Sequence, residues 1–342
     1  MTGSTMLLFA SLQEKISACL IACFPRLFSP CFYGLNINLY NLEMQNFKYI
    51  CMVLLGGAMY GTMSSFVKLS YSWGYNAAEI SFAQAFLAAL FLGTFQIAKP
   101  GKPTQIKLAS KQIISLLIVG STIGLTNFLY YLSVSYISAS LAIVLLMQFT
   151  WFSLLLEWIA FRQKPGKLEL LTVAFIVVGT VLAGDLVSGE ILTLSWQGIT
   201  LAIASSLTYS VYIIANSRIG KDVKWQSKST LIMAGSALTI LAINSKTIVS
   251  SNHFGYEFLL WALFLAVVGT TIPTALFAAG IHKIGASLSS ILMTIEFPVA
   301  VLCASIILDE HISALQILGI LLMITAIVAM NYYKSLETKN TE

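Results

Sequence analysis

"TNFLYYLSVSYISASL", residues 126–141, aligns without a gap on "PTALFAAGIHKIGASL", residues 273–288. The pairing keeps Leu129 with Leu276, Tyr130 with Phe277 and Ile137 with Ile284, and both segments end in Ala-Ser-Leu. A weaker echo sets "AMYGTM", residues 58–63, against "LTYSVY", residues 207–212. The chain is therefore written twice, and the contents of one copy decide the fold.

Each copy holds five apolar runs. The first has them at about 48–69, 78–98, 112–133, 139–161 and 168–184. The second has them at about 197–217, 229–244, 258–280, 287–308 and 313–332. A helix of about 20 apolar residues crosses a bilayer. An odd number of crossings makes the second copy enter from the opposite side, as in transporters built from inverted repeats. The expected fold is an all-α integral membrane protein with ten transmembrane helices as two inverted five-helix repeats. The expected division is an N-terminal extension at 1–46, poorly ordered, repeats at 47–187 and 188–333, and a short tail at 334–342. Met44 is a natural beginning for the first helix, so the extension is expected to be dispensable.

Composition agrees with this class. Apolar residues make up 58% of the chain and charged residues 10%, where soluble domains carry roughly a quarter. A membrane β-barrel would alternate over segments of about ten residues instead. The net charge of +5 sits in short connections and does not point to nucleic acid. Of the five cysteines, Cys19, Cys23 and Cys31 lie in the extension, while Cys51 and Cys303 lie in apolar runs, without a disulfide or metal pattern.

Orientation follows from Lys and Arg. With a cytoplasmic N-terminus, 17 of the 19 basic residues fall on the cytoplasmic side, and Lys68 and Lys246 fall outside. Both termini are therefore expected in the cytoplasm, with the protein multi-pass in the plasma membrane, the inner membrane in a bacterium. Equivalent connections swap sign accordingly: "RQKPGK" (162–167) is basic, and its counterpart "DEHISA" (309–314) is acidic.

Glu296 is the leading candidate for function. It lies near the middle of its span, where a charge costs on the order of 3 kcal/mol, and no Lys or Arg is expected at that depth to pair with it. It must be protonated, face water or bind a cation; a neutral hydrogen-bonded Glu is the structural alternative. Pro298 is expected to free the carbonyl of Thr294, and Pro273 interrupts the eighth span; each reads as a gating hinge or a packing kink. Both kinks belong to the second half.

Gln148 is placed opposite Glu296, since each precedes a Phe. It reads as a binding group or as an interhelical hydrogen bonder. Asn127 and Gln84 share that ambiguity. Tyr60, Tyr130 and Tyr209, with Tyr131, Trp151 and Tyr212, either line a cavity or pack against helices and lipid. Glu157 and Lys68 are expected to snorkel to the interface. "GAMYG" and "GSTIG" carry the GxxxG spacing of close helix contacts. His253, His282 and His311 fall in loops, and no HExxH, GxSxG or phosphate-binding glycine loop occurs, so neither enzyme chemistry nor a cofactor or metal is expected.

Two stretches resemble the EamA branch of the drug/metabolite transporter superfamily. "GGAMYGTMSSFVK" (56–68) is similar to the helix that opens each half in that family. The segment "IGASLSSILMTIEFPVAVLCASIILDEHISALQILGILLMITAIVA" (284–329) is similar to its closing segment. The resemblance covers about 47–332 and departs where Phe297 separates Glu296 from proline, where Gln163 replaces a loop Glu, and where Gln84 replaces an Arg. It implies a secondary transporter that moves a small organic metabolite by alternating access, in the export direction; the lone carboxylate among aromatics suits a proton-coupled step or an organic cation. Organic-cation efflux by the same fold and a non-transporting scaffold are the alternatives. The implied partners are a small-molecule substrate and the lipid bilayer, with a homodimer left open and no nucleic acid.

Overall fold

A computed structural model describes residues 40–98, 109–137, 139–183, 195–251, 255–308 and 313–340. The expected disorder of residues 1–39, the loop cations at 99–107 and the acidic connection at 309–312 lie outside the described residues. The first half comprises α1 (Tyr40–Tyr71), α2 (Ala77–Ala98), α3 (Ser110–Val134), α4 (Ala139–Leu146), α5 (Phe149–Phe161) and α6 (Lys167–Ala183). The second comprises α7 (Trp196–Arg218), α8 (Trp225–Ser250), α9 (Tyr256–Ala266), a π-helical turn at Val267–Thr271, α10 (Ile272–Ile284), α11 (Ala286–Met293), α12 (Glu296–Leu308) and α13 (Ala314–Asn340).

Eight described helical segments are long and apolar enough to cross a membrane. The fifth and tenth expected spans correspond to α6, of 17 residues, and to the shorter apolar stretch Ala314–Met330 of α13. Helices satisfy their own backbone groups, which hydrocarbon requires. The starts are capped by a recurring local device. Asn76 and Glu79 bond reciprocally, each backbone N–H to the other's side chain at 3.0 Å, and open α2. Gln112, Glu169 and Gln316 accept in the same way from the N–H of Ala109, Gly166 and Ser313, opening α3, α6 and α13. Buried hydroxyls such as Ser70, Ser133 and Thr180 bond to carbonyls three or four residues back, so they enter the core at little cost.

The most extensive packing runs between the halves. α3 packs on α7 and α8, and, in exchange, α1 packs on α10; α5 meets α7 as α12 meets α1; α2 faces α8 and α6 faces α13. This reciprocal pattern is that of two repeats related by a pseudo-twofold axis. Small residues permit it at the α3–α8 crossing. A Cβ on Gly120 would overlap the carbonyl of Ile232, and one on Gly235 would overlap that of Leu117. The "GSTIG" reading is therefore a packing contact between halves.

The two discontinuous passes match in length. α4 and α11 have eight residues each, and α5 and α12 have thirteen. The breaks fall at Met147–Gln148 and Thr294–Ile295. The register corrects three expectations. Gln148 is the counterpart of Ile295, and Glu296 pairs with Phe149, the first residue of α5. The first half breaks without any proline, so the interruption belongs to the repeat rather than to Pro298. Pro298 itself sits in the first turn of α12, where backbone N–H groups lack helical partners anyway. The Thr294 carbonyl is not freed, because the N–H of Phe297 donates to it at 3.1 Å.

Pro273 occupies the second position of α10, directly after the π-helical turn. His282 lies within α10 rather than in a loop, with a ring nitrogen 3.1 Å from the Ala278 carbonyl. Lys228 is not a loop cation; it is fully buried in the first turn of α8 and donates to the Asn216 carbonyl at 2.6 Å.

Candidate functional site

The break between α11 and α12 lies against α1. A Cβ on Gly61 would overlap the backbone carbonyl of Glu296, and one on Gly57 would stand 3.4 Å from the backbone of Met293. Glycine at these two positions lets the helix carrying Tyr60 touch the backbone that carries Glu296. The "GAMYG" spacing thus serves the site itself. Glu296 opens α12, at the positive end of its helix dipole and near backbone N–H groups without helical acceptors.

The Glu296 side chain is 3% exposed and turns inward to a cavity. Tyr60 and Gly61 of α1, Asn127 and Tyr130 of α3, and Tyr209 of α7 share the lining. Met63, Ser64, Thr126, Tyr131, Ile143 and Leu146 complete it. Five of the six residues read from the sequence as binding candidates are therefore brought together: Glu296, Tyr60, Tyr130, Tyr209 and Asn127. Gln148 is not among them. Its amide nitrogen donates to the Val144 carbonyl at 3.1 Å, and its oxygen accepts from Trp151 Nε1 at 2.7 Å.

Tyr209 donates its hydroxyl to Glu296 Oε1 at 2.5 Å. Its ring is fixed by an edge contact with Phe149, centroids 4.7 Å apart, and by stacking on Tyr212 at 6.2 Å. Phe149, the symmetry counterpart of Glu296, therefore holds the ring that bonds Glu296. Among the described residues no cation forms an ion pair with this carboxylate. Tyr60 stacks on Phe277 at 5.5 Å. The hydroxyls of Tyr60 and Tyr130 are buried and have no hydrogen-bond partner among the described residues. Each such group costs about 1–3 kcal/mol in a folded protein. Thr126 meets Thr208 of the other half at 2.8 Å, and Tyr131 donates to Gln84 at 3.1 Å, so Gln84 acts here as a packing acceptor.

The cavity offers about 30 Å³ to the centre of a water-sized sphere, room for water but not for a metabolite. In this conformation the centre is closed. The π-helical turn packs against a lining residue: a Cβ on Gly269 would collide with the sulfur of Met63.

Glu157 departs from expectation. It does not snorkel; it is 8% exposed and pairs with Arg218 of the other half at 2.8 Å. No sequence pattern linked these two residues, because they stand 61 positions apart. Ser64 and Leu146 were likewise missed, since small or apolar residues in an apolar run carry no distinguishing mark.

A closed bundle of membrane helices in two interlocked halves, with a lone carboxylate and tyrosines at their junction, defines a membrane transporter of the repeat type. The chain belongs to the EamA-like transporter family, whose model matches it twice, over residues 47–184 and 196–332. It is 28% identical over 228 residues to an uncharacterized transporter, sll1319, of Synechocystis; that match covers 62% of this chain and 65% of the relative. The threonine/homoserine exporter RhtA of Salmonella typhimurium is 24% identical over 69% of this chain and 77% of its own. The uncharacterized transporter YcbK of Bacillus subtilis is 22% identical over 82% of this chain and 92% of its own. One solved crystal structure shares the fold with a TM-score of 0.66 at 14% identity, covering 82% of this chain and 94% of that one.

Proposed function

We propose that this transporter exports a small metabolite that carries both an ammonium and a carboxylate, an amino acid being the simplest, by alternating access between the two halves. One observation carries the reading: a carboxylate without an ion pair, and two tyrosine hydroxyls without a hydrogen-bond partner among the described residues, face a single cavity. A carboxylate attracts an ammonium group, and phenolic hydroxyls donate to a carboxylate. An organic cation without an acid group would leave the O–H donors of both hydroxyls unused, which disfavours the efflux alternative. Fixed cations suited to a phosphorylated substrate do not line this cavity.

The names of the RhtA relatives support an amino-acid class and outward flux. The basic bias of the connections supports cytoplasmic termini and a plasma-membrane location. Glu296 holds the ammonium group in one state and a proton in the other, which couples export to proton entry. Purified protein in vesicles, tested for exchange of a labelled amino-acid panel across a pH gradient, checks this. Glu296→Gln should abolish uphill flux and its pH dependence; unchanged flux and pH response in that variant would sink the role.

A further inference from the structure

A second hollow opens at the end of the molecule that bears residues 162–167. It measures about 260 Å³, against about 30 Å³ for the closed centre. Both halves wall it. The first supplies Leu154 and Glu157 of α5, Lys164 of the connection and Glu169 of α6; the second supplies the joint between α10 and α11, residues 284–288. Gly285 turns that joint at φ +85°, and a Cβ on it would meet nothing within 4 Å, so this wall stands clear of its surroundings.

The lining suits a small zwitterion. Arg218 Nη2 donates to Glu157 Oε1 and to Gln163 Oε1, both at 2.8 Å, and so gathers a carboxylate and an amide oxygen on one wall. Glu169 accepts from the Ser287 hydroxyl at 2.6 Å and from the Gly166 N–H at 3.1 Å, which fixes its carboxylate between the halves. The cap that Glu169 makes needs no charge, because Gln112 and Gln316 make the same bond with a neutral amide. Lys164 is exposed and lines the same space. Carboxylates and an amide oxygen accept from an ammonium group, and a lysine donates to a carboxylate. A phosphorylated anion would meet two like charges here, and an organic cation would set a like charge beside Lys164.

α11 joins this cleft to the central site. Its eight residues span about 12 Å. One end forms the cleft wall, and the other runs into the Thr294–Ile295 turn that presents Glu296. By the basic bias of residues 162–167 the cleft lies at the cytoplasmic end, where a substrate bound for export arrives.

We propose that the cleft is a loading site for the amino-acid substrate, where Glu157 and Glu169 receive the ammonium group and Lys164 the carboxylate before the path to Glu296 opens. The proposal rests on the transport reading above and adds a second substrate site to it.

The test measures binding with the central site disabled. The purified full chain carrying Glu296→Gln is dialysed to equilibrium against each of the standard labelled amino acids, L-threonine first. At least one should bind saturably, at about one molecule per chain. Lys164→Ala and Glu169→Gln should each weaken that binding by about fivefold, the effect of one partly exposed ion pair. Glu169→Gln keeps the helix cap, as Gln316 shows, so the fold is preserved. Lys164→Arg should retain full affinity, and Lys167→Ala, outside the lining, should change nothing. The amide of the bound amino acid, which lacks the carboxylate, and its N-acetyl derivative, which lacks the ammonium, should both bind more weakly. In vesicles Lys164→Ala should raise the apparent KM about fivefold from the Lys164 face and leave it unchanged from the other. No saturable binding by the Glu296→Gln chain, or the same affinity in Lys164→Ala and Glu169→Gln, would overturn the loading site while leaving transport through the centre intact. Binding that follows Lys164 and Glu169 while no amino acid crosses the vesicle membrane would overturn the transport reading alone.

Discussion

Tyr60→Phe and Tyr130→Phe separate a ligand site from ordinary packing. Both hydroxyls are buried without a partner among the described residues, so each costs the resting fold about 1–3 kcal/mol. Removing the oxygen keeps the ring, including the Tyr60–Phe277 stack at 5.5 Å. Each variant should therefore be more stable than the parent, by about 1 kcal/mol, or roughly 2 °C in melting temperature for a chain of this size. Transport should move the other way. A hydrogen bond to a carboxylate contributes about 1.5–3 kcal/mol, so apparent substrate affinity should fall by about 10- to 100-fold. Tyr209→Phe is the contrasting case, because its hydroxyl is bonded to Glu296; that variant should lose both stability and flux. The assays are thermal unfolding in detergent and substrate-concentration dependence in vesicles. Variants at Tyr60 and Tyr130 that melt early and transport normally would refute the reasoning.

The helix contact beneath the site gives a second prediction. Gly61→Ala must push α1 away from the Glu296 carbonyl, at about 1–3 kcal/mol, and should lower melting temperature and flux together. Gly93→Ala, whose Cβ would meet only Thr230 at 3.6 Å, should keep both, with up to about 1 kcal/mol gained from helix propensity. Pro298→Ala should shift stability by less than about 1 kcal/mol and preserve flux, since the proline occupies a first turn that needs no N–H there. A large loss of flux in that variant would show that the proline does more than begin a helix.

Much of this was readable from the chain because hydrocarbon imposes a strict code. Apolar runs had to be helices, and the expected odd number of them per repeat is what led to an inverted layout. A carboxylate in such a run stands out, and Glu296 lines the central cavity. Tyr60 and Tyr209 occupy matched positions of the two copies, and the cavity unites them with Tyr130 and Asn127. The reading failed at one-residue precision. Aligning Gln148 with Glu296 on their shared Phe shifted the register, and a shift of one residue turns a helical side chain by about 100°. That shift is the difference between a cavity and a bond to Trp151.

The sequence by itself determined the class, the two copies and the acid at their centre, because each is dictated by local polarity against a membrane solvent. Only the tertiary structure decided which partner each polar group meets. Glu157 finds Arg218, Ser287 finds Glu169, and Lys228 is sealed inside, through contacts between residues far apart in the chain. Such pairings depend on how two helices cross, and that is set by the summed shape of many small side chains rather than by any motif.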